Sequence, residues 1–523
     1  MPFYQDPPED PDLWLADDTL RTTVLAGIQA SHRPFWSERF ASLGQDTRNI
    51  LAPLARSAES TPPRLVRVAP WGTPVDRIET APAWRTLLDH AARYGLVGVG
   101  HDRSLGPWRR VAQVALLHLF SPVSATASCP IAMSDAAATV LTRSADPTLR
   151  DAILPRLTST DPAFAWTSGQ WMTERPGGSD VSKTETEARP IPGTDLWTLH
   201  GWKWFTSATS AEVALTLARP VDGGGLTLFL VHLTRDAGGP LHGIRIERLK
   251  DKLGTRAMPT AELVLDGVQA VRIGPVGRGI ATVAPMLNIT RWHNAVSSAA
   301  GMRRAVALAT DYAGRREASG RRLIDLPLHR WTLDGLDAAA AAATALVVHL
   351  AAWIGAAEDG QLPERESLAL RALLPVAKAT LGKAAVAVAS EAIECFGGAG
   401  YVEDTDLPRM LRDAQVLPIW EGTTNVLAMD LLRAQHKERA LDALFRSLAE
   451  NAPATLTSAF DRARRLCDST DDSQARTLCL WTGALAQAVL LYRVEGASQR
   501  WKRFVTDHLS DRGSGINPDE APC

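Results

Sequence analysis

The hydrophobic period changes twice along this chain, and that double change limits the folds open to it. Up to about residue 163 the apolar residues recur at helical spacing. Trp14, Leu15, Leu20, Val24, Leu25 and Ile28 begin the pattern. The stretches 84–94, 108–120 and 131–144 then read as successive core helices. Thr61-Pro62-Pro63 and Pro70-Trp71-Gly72 interrupt the run. From about 164 to 275 the period shortens to two. The stretches 196–199, 213–217, 226–232, 244–249 and 261–265 alternate, and Pro-Gly-Thr-Asp, Asp-Gly-Gly-Gly and Asp-Ala-Gly-Gly-Pro separate them, as hairpins require. After Gly277-Arg278-Gly279 the helical period returns. Long candidate helices cover 282–316, 328–357, 366–396 and 424–437, with short links between them, which predicts an antiparallel bundle. Further helices are expected at 459–467, 475–492 and 495–509. The Gly/Pro/Asp-rich tail 510–523 is expected to be disordered.

The chain is therefore predicted to be α+β and mostly α. The expected parts are an N-terminal helical domain (1–163), a central β-barrel or sandwich (164–276), a C-terminal four-helix bundle (277–439) and an extra helical region with its tail (440–523). At 523 residues the chain exceeds what one core can hold. No Gly-x-Gly-x-x-Gly follows a strand, which tells against a Rossmann domain. A net charge of -2 gives no whole-chain drive toward nucleic acid or anionic lipid. The five cysteines are scattered with no Cys-x-x-Cys pair, so a reducing compartment without structural zinc is expected. The first twenty residues lack a signal or transit pattern. No apolar run reads as membrane-spanning. These features make a cytoplasmic location the expectation, with no membrane partner.

Four stretches carry candidate chemistry. Trp420-Glu421-Gly422-Thr423-Thr424-Asn425 sets a carboxylate beside an aromatic at the head of a helix, with three possible N-caps. Alone, a Glu in that place is usually a solvated dipole partner. Gln170-Trp171-Met172-Thr173-Glu174-Arg175-Pro176-Gly177-Gly178-Ser179-Asp180 has paired glycines, which let a backbone approach a flat or phosphorylated ligand. A ligand-free hairpin entry reads equally well. Gly201-Trp202-Lys203-Trp204-Phe205-Thr206-Ser207 is an aromatic strand. It can lay a ring on a cofactor or simply fill a core. Cys395-Phe396-Gly397-Gly398-Ala399-Gly400-Tyr401 ends a long helix, as a C-cap or as a receiver of pyrophosphate. Arg315, Arg316, Arg321 and Arg322 form a cationic cluster at another helix end.

Taken in chain order (Thr173 to Asp180, Lys203 to Ser207, Phe396 to Tyr401, then Trp420-Glu421-Gly422-Thr423), with Leu411-Arg412-Asp413 between the last two, these motifs resemble the acyl-CoA dehydrogenase superfamily. Finer features are similar to its AidB branch: Leu249-Lys250-Asp251-Lys252-Leu253-Gly254-Thr255-Arg256, Ser128-Cys129-Pro130-Ile131-Ala132-Met133, Trp420 before Glu421 and Asn425 after it. The likeness spans nearly the whole chain and is weakest after about residue 440.

The resemblance implies non-covalent FAD, no metal, and α,β-dehydrogenation of an acyl-CoA or related activated acyl group. Glu421 would be the base. Gln170, Met172, Thr173 and Ser179 would edge the flavin ring and its side chain. Phe205 takes the place of the stacking aromatic, and Ser207 that of a Thr near the reactive ring nitrogen. Arg316 would hold the FAD pyrophosphate, with Gly397 and Gly398 of a neighbouring subunit closing over it, which implies a homotetramer. Thr423 and Asn425 would contact FAD, and Arg291 matches an arginine near the acyl-CoA channel. Two positions depart from the pattern. Ser319 stands where an aromatic is common, and Glu394 where Gln is. The AidB branch also raises duplex DNA as a partner. Against it, the region 446–523 carries equal numbers of basic and acidic residues, although Arg462, Arg464, Arg465, Arg500, Lys502 and Arg503 are candidates for a basic face. DNA binding is therefore a possible but not the favoured reading. A non-CoA substrate is a further alternative.

Overall fold

The computed structural model describes residues 5–236, 239–469 and 471–510; the expected disordered tail falls, from residue 511, outside the described residues. The chain divides into two compact units. One comprises Met1–Ala52, Arg103–Pro122 and Arg291–Cys523, and the other Pro53–Asp102 and Val123–Thr290. The N-terminal helical stretch thus contributes to both.

The first unit is a helical bundle. Its long helices are Gly279–Arg315 (α1, from Arg291 onward), Pro327–Glu358 (α2), Glu364–Glu394 (α3) and Thr424–Glu438 (α4). Their ends follow local chemistry. Pro327 opens α2 at a position where its missing N–H costs nothing. Glu364 and Glu366 sit in the first turn of α3, where the helix dipole favours them. Helices Ala475–Glu495 and Gln499–Leu509 pack on α2. Arg109 and Arg110, both buried, pin the helix Arg109–Phe120 to the end of α2. Arg109 donates to Glu358 (3.0 Å) and Asp359 (2.8 Å), and Arg110 Nη2 donates to Glu358 Oε1 (2.6 Å).

The expectation that no apolar run reaches membrane-spanning length needs correction. Among the described residues, Pro327–Glu358, Glu364–Glu394 and Asp472–Glu495 are long and apolar enough, with mean hydropathy of 1.8, 1.5 and 1.3. Their apolar windows are 78%, 72% and 67% buried in the protein. A helix packed on several sides is apolar nearly all round.

The second unit holds the sheet. Its strands are Arg64–Val68 (β1), Pro74–Glu79 (β2), Ser168–Trp171 (β3), Glu187–Pro190 (β4), Leu196–Ser207 (β5), Val213–Pro220 (β6), Thr227–His232 (β7), Ile244–Leu249 (β8) and Thr260–Ile273 (β9). Strands β6, β4, β5, β9 and β7 pair in a ring that closes from β7 back to β6. Strand β3 pairs with β6 in parallel, and β8 with β9. Closure leaves the five ring strands without a free edge. Trp171, Leu199, Phe229, Val231, Ile246 and Leu263 fill the interior. The proline-rich interruption read above as a break between helices is a hairpin, β1 with β2, turning at Trp71-Gly72. Strand β3 also escaped the alternation, because Ser-Gly-Gln-Trp is too short and too polar to show a period.

Candidate active site

Each unit carries part of the residue set singled out above. In the barrel unit, Gln170 lies on β3 opposite Leu215 of β6. Its Oε1 is buried without a hydrogen-bond partner. Met172 is buried, and the Thr173 carbonyl accepts from Trp204 N (2.9 Å), which ties the following loop to β5. Glu174 and Gly177 exchange backbone hydrogen bonds (3.3 and 3.2 Å) and reverse the chain. A side chain at Gly178 would press on Thr173, with Cγ2 only 3.0 Å from its Cβ. Ser179 is exposed, and Asp180 accepts from Ser182 N (3.1 Å).

A buried ion pair fastens this loop. Lys203 Nζ donates to Glu174 Oε1 at 2.6 Å, with the side chains 0% and 3% exposed. The Glu174 carboxylate also accepts from Thr186 Oγ1 (2.6 Å) and Glu185 N (2.6 Å), and Lys203 donates to the Leu217 carbonyl (3.0 Å). Burial pulls the Lys203 pKa below the ordinary lysine range, and the Glu174 charge opposes that pull. The Glu174 carboxylate is therefore saturated by protein donors.

Two residues further along β5, the register against β9 slips between Lys203 and Thr206. Such a bulge re-aims side chains. Phe205 stands 52% exposed there, and Thr206 turns inward to donate to the Ala261 carbonyl (2.8 Å). Ser207, half-buried, shares the strand face of Phe205. Lys250 Nζ lies 3.7 Å from the Trp204 ring centroid and 4.4 Å from that of Phe205.

In the bundle unit, Glu421 occupies a left-handed turn just before α4, at φ 59°, with Gly422 at φ 100°. The left-handed region is costly for any residue but glycine, so the turn needs holding. Arg291 Nε donates to the Glu421 carbonyl (3.4 Å), and Lys378 Nζ donates to the Gly422 carbonyl (2.6 Å). Arg291 is itself fixed by Asp430 (2.9 Å), which Arg371 also holds (2.7 Å). Burial pushes the Asp430 pKa up, but the Arg371 hydrogen bond and the Arg291 charge outweigh it and bring the group below its ordinary value. Arg291 thus braces the Glu421 turn rather than lying free. Asn294, one turn on from Arg291, donates to the Leu417 carbonyl (3.1 Å).

Thr423 begins α4 with extended backbone and makes no side-chain cap. Asn425 Oδ1 accepts from Arg476 (3.1 Å). Arg316 follows α1, and its carbonyl receives Leu323 N (2.8 Å), closing the small hairpin Glu317–Ala318 with Arg321–Arg322. Ser319 and Gly320 form the turn of that hairpin, both at positive φ, where a bulky aromatic is disfavoured. This accounts locally for the departure at Ser319. Gly397 and Gly398 are exposed, and a side chain at either would meet nothing within 4 Å. The glycine the fold demands is Gly400, whose Cβ would lie 2.1 Å from the Ile393 carbonyl oxygen. Glu394 is exposed.

Sequence reasoning passed over Lys378, Asp430 and Arg371. The signal for Lys378 was available: it is the only cation between Arg371 and Lys383 in an otherwise apolar helix.

The helix–barrel–bundle succession, with Phe205 exposed on a barrel strand and Glu421 at a bundle helix head, is the arrangement the resemblance to flavin-dependent oxidoreductases implied. Sequence profiles agree. The acyl-CoA dehydrogenase C-terminal domain matches residues 277–436, the acyl-CoA dehydrogenase middle domain 169–268, and the adaptive response protein AidB N-terminal domain 5–162. The Escherichia coli (strain K12) AidB protein is 33% identical over 416 residues, covering 77% of this chain and 75% of AidB. Acyl-CoA dehydrogenase family member 11 of Caenorhabditis elegans is 48% identical over 393 residues, 73% of this chain; the match spans 63% of the nematode protein's length. The crystal structure of Caenorhabditis elegans ACDH-11 in complex with C11-CoA superposes with a TM-score of 0.91 at 38% identity, over 96% of this chain and 92% of that one. The chain belongs to the acyl-CoA dehydrogenase family, in its AidB-like branch. The family is one of FAD-dependent oxidoreductases, and FAD is its cofactor.

The residues present fit that group. The orphaned Gln170 Oε1 is an acceptor awaiting a donor, and a flavin ring offers an N–H. Phe205 is about half exposed on the barrel surface, beside Lys250. Gly177 and Gly178 leave two successive positions of the adjoining loop without a side chain.

Proposed function

We propose that this protein catalyses α,β-dehydrogenation of an acyl-CoA or related acyl thioester, with Glu421 as the base. The observation that carries the reading is the Glu421 turn, a left-handed backbone at a helix head whose two successive carbonyls accept from Arg291 and Lys378. A positioned base is useful only if its carboxylate is aimed, and a braced turn aims it. Glu421 removes the α-proton of the bound thioester. The Glu421 backbone N–H is the assigned donor to the thioester oxygen, where negative charge grows as the proton leaves. FAD, when bound, supplies the hydride acceptor for the β-carbon. Gln170, Met172, Thr173, Ser179, Phe205 and Ser207 would hold its ring and side chain; Arg316 and a neighbouring subunit's glycine turn would hold its pyrophosphate.

The ACDH-11 complex with C11-CoA supports an acyl-CoA as the substrate class. The duplex-DNA reading is not adopted. Arg500 is committed to Asp18 and Glu495, Arg503 to Asp507, and Arg464 to Asp461, so much of the basic face is locally neutralised. A homotetramer in the cytoplasm is the proposed working form, and light scattering on the FAD-loaded protein tests its size.

The test of the activity is anaerobic mixing of the yellow protein with acyl-CoA esters of graded length. Bleaching of the flavin by at least one ester is expected. Failure of all of them overturns the proposal.

A further inference from the structure

We propose that Lys378 is a positioning residue for the Glu421 turn, holding the Gly422 carbonyl while Arg291 holds the Glu421 carbonyl, so that two successive peptide planes are fixed from the bundle side. The inference rests on the reading of Glu421 as the base and extends it to a residue outside the reacting atoms.

Lys378 lies in α3 among Leu374, Val376, Ala377, Ala379 and Leu381, all buried, and is itself fully buried. Its Nζ reaches out of this apolar surround to the Gly422 carbonyl at 2.6 Å. Burial pushes its pKa down to about 7; the Glu421 charge raises it and the Arg291 charge lowers it. An amine in that place carries a desolvation cost that a methionine of similar length would not. Core stability alone therefore does not account for a lysine here.

The geometry supplies the reason. In a trans peptide the C=O and the following N–H point in opposite directions. With the Glu421 and Gly422 carbonyls both accepting from side-chain N–H donors, the N–H groups of Gly422 and Thr423 are turned the other way. The first of these planes borders Glu421 at φ 59°, a conformation that costs about 1–2 kcal/mol and does not hold itself, and both planes flank Gly422 at φ 100°. Arg291, on α1, is anchored through Asp430 of α4, which Arg371 of α3 also holds. Lys378 comes from α3. Losing either hold leaves one plane free to rotate, and the Glu421 carboxylate moves with it.

The experiment compares FAD-loaded wild-type protein with Lys378→Met, using an acyl-CoA ester that bleaches the wild type. Three quantities are read: FAD content, acyl-CoA affinity from the spectral change on binding, and the first-order bleaching rate at saturating ester. The expected result is FAD content and affinity within about twofold of wild type, with the bleaching rate lower by about 10- to 100-fold, the scale set by a misplacement near 1 Å. A lower melting temperature with an unchanged bleaching rate marks a merely structural lysine and overturns the proposal. Should Lys378→Met not retain FAD, Lys378→Gln is measured in the same way, since it keeps an N–H donor one bond short of the carbonyl. A fall of about threefold or more then supports the proposal, and a smaller one overturns it. A wild type that no ester bleaches overturns the underlying reading and the proposal together. That result is distinct from a bleaching wild type whose Lys378→Met variant keeps pace, which overturns the proposal alone.

Discussion

Breaking the Lys203–Glu174 pair should unfasten the loop that carries Thr173 and Ser179, and the cost can be worked from its surroundings. In Glu174→Gln the Lys203 amine loses its counter-charge and keeps the Leu217 carbonyl at 3.0 Å. Its cheapest escape is to give up the proton. That sets a ceiling: taking an ordinary lysine pKa of 10.5, deprotonation at pH 7 costs about 5 kcal/mol, and at pH 9 about 2 kcal/mol. The unfolded chain still binds the proton in this window while the folded variant does not, so the variant's stability rises with pH. In Lys203→Met the carboxylate retains Thr186 Oγ1 and Glu185 N, both at 2.6 Å. Its loss should be smaller, about 3 kcal/mol, at the low end for a broken buried pair. The double variant Lys203→Met/Glu174→Leu buries no charge and should be more stable than either single one. Denaturant titrations of all four proteins at pH 7 and pH 9 measure this. A Glu174→Gln variant within about 1 kcal/mol of wild type at pH 7, or one whose loss does not shrink at pH 9, would refute the account of the pair.

Three other outcomes are expected. Glu421→Gln should keep FAD and lose flavin bleaching by a factor of about 10²–10⁴, the usual worth of a positioned general base; normal bleaching in single-turnover mixing would remove Glu421 from the role. Burial holds His118 at a pKa of about 4 and His349 at about 3, both below the ordinary 6.5. The stability these neutral rings provide is present above pH 6.5 and is lost as pH falls toward 4 and below, by roughly 3 kcal/mol for His118 alone; thermal melts at pH 7 and pH 5 should separate, and the separation should narrow in His118→Gln. Gly400→Ala forces a methyl group to within 2.1 Å of the Ile393 carbonyl oxygen and should cost about 1–3 kcal/mol, whereas Gly398→Ala, with open space around it, should melt close to wild type.

How far the site was legible depends on whether its parts are local. The helices were: 282–316, 366–396 and 424–437 were expected where Gly279–Arg315, Glu364–Glu394 and Thr424–Glu438 are found. Their apolar period runs over many turns, so errors at the ends do not move them. Strand β8 came out at the expected bounds because alternation and flanking glycines agree there. Strand β3 did not, since four residues carry no period, and β1 and β2 were hidden by prolines that read as a break. The candidate residues were recognisable as an ordered set of motifs. Asp430 and Arg371 were not, because their role lies in partners 59 to 139 residues away along the chain, on other helices.

The sequence by itself determined the succession of helix, barrel and bundle, the family, and with it FAD. These depend on periodicity and motif order, which survive without coordinates. Tertiary structure alone decided that Glu174 is saturated by Lys203, that Phe205 is turned outward by a bulge, and that Glu421 sits on a left-handed turn braced by Arg291 and Lys378. Charge pairing, burial and backbone handedness arise only when distant segments meet. A lysine in an apolar helix is written in the sequence; the carbonyl it holds, 44 residues later, is not.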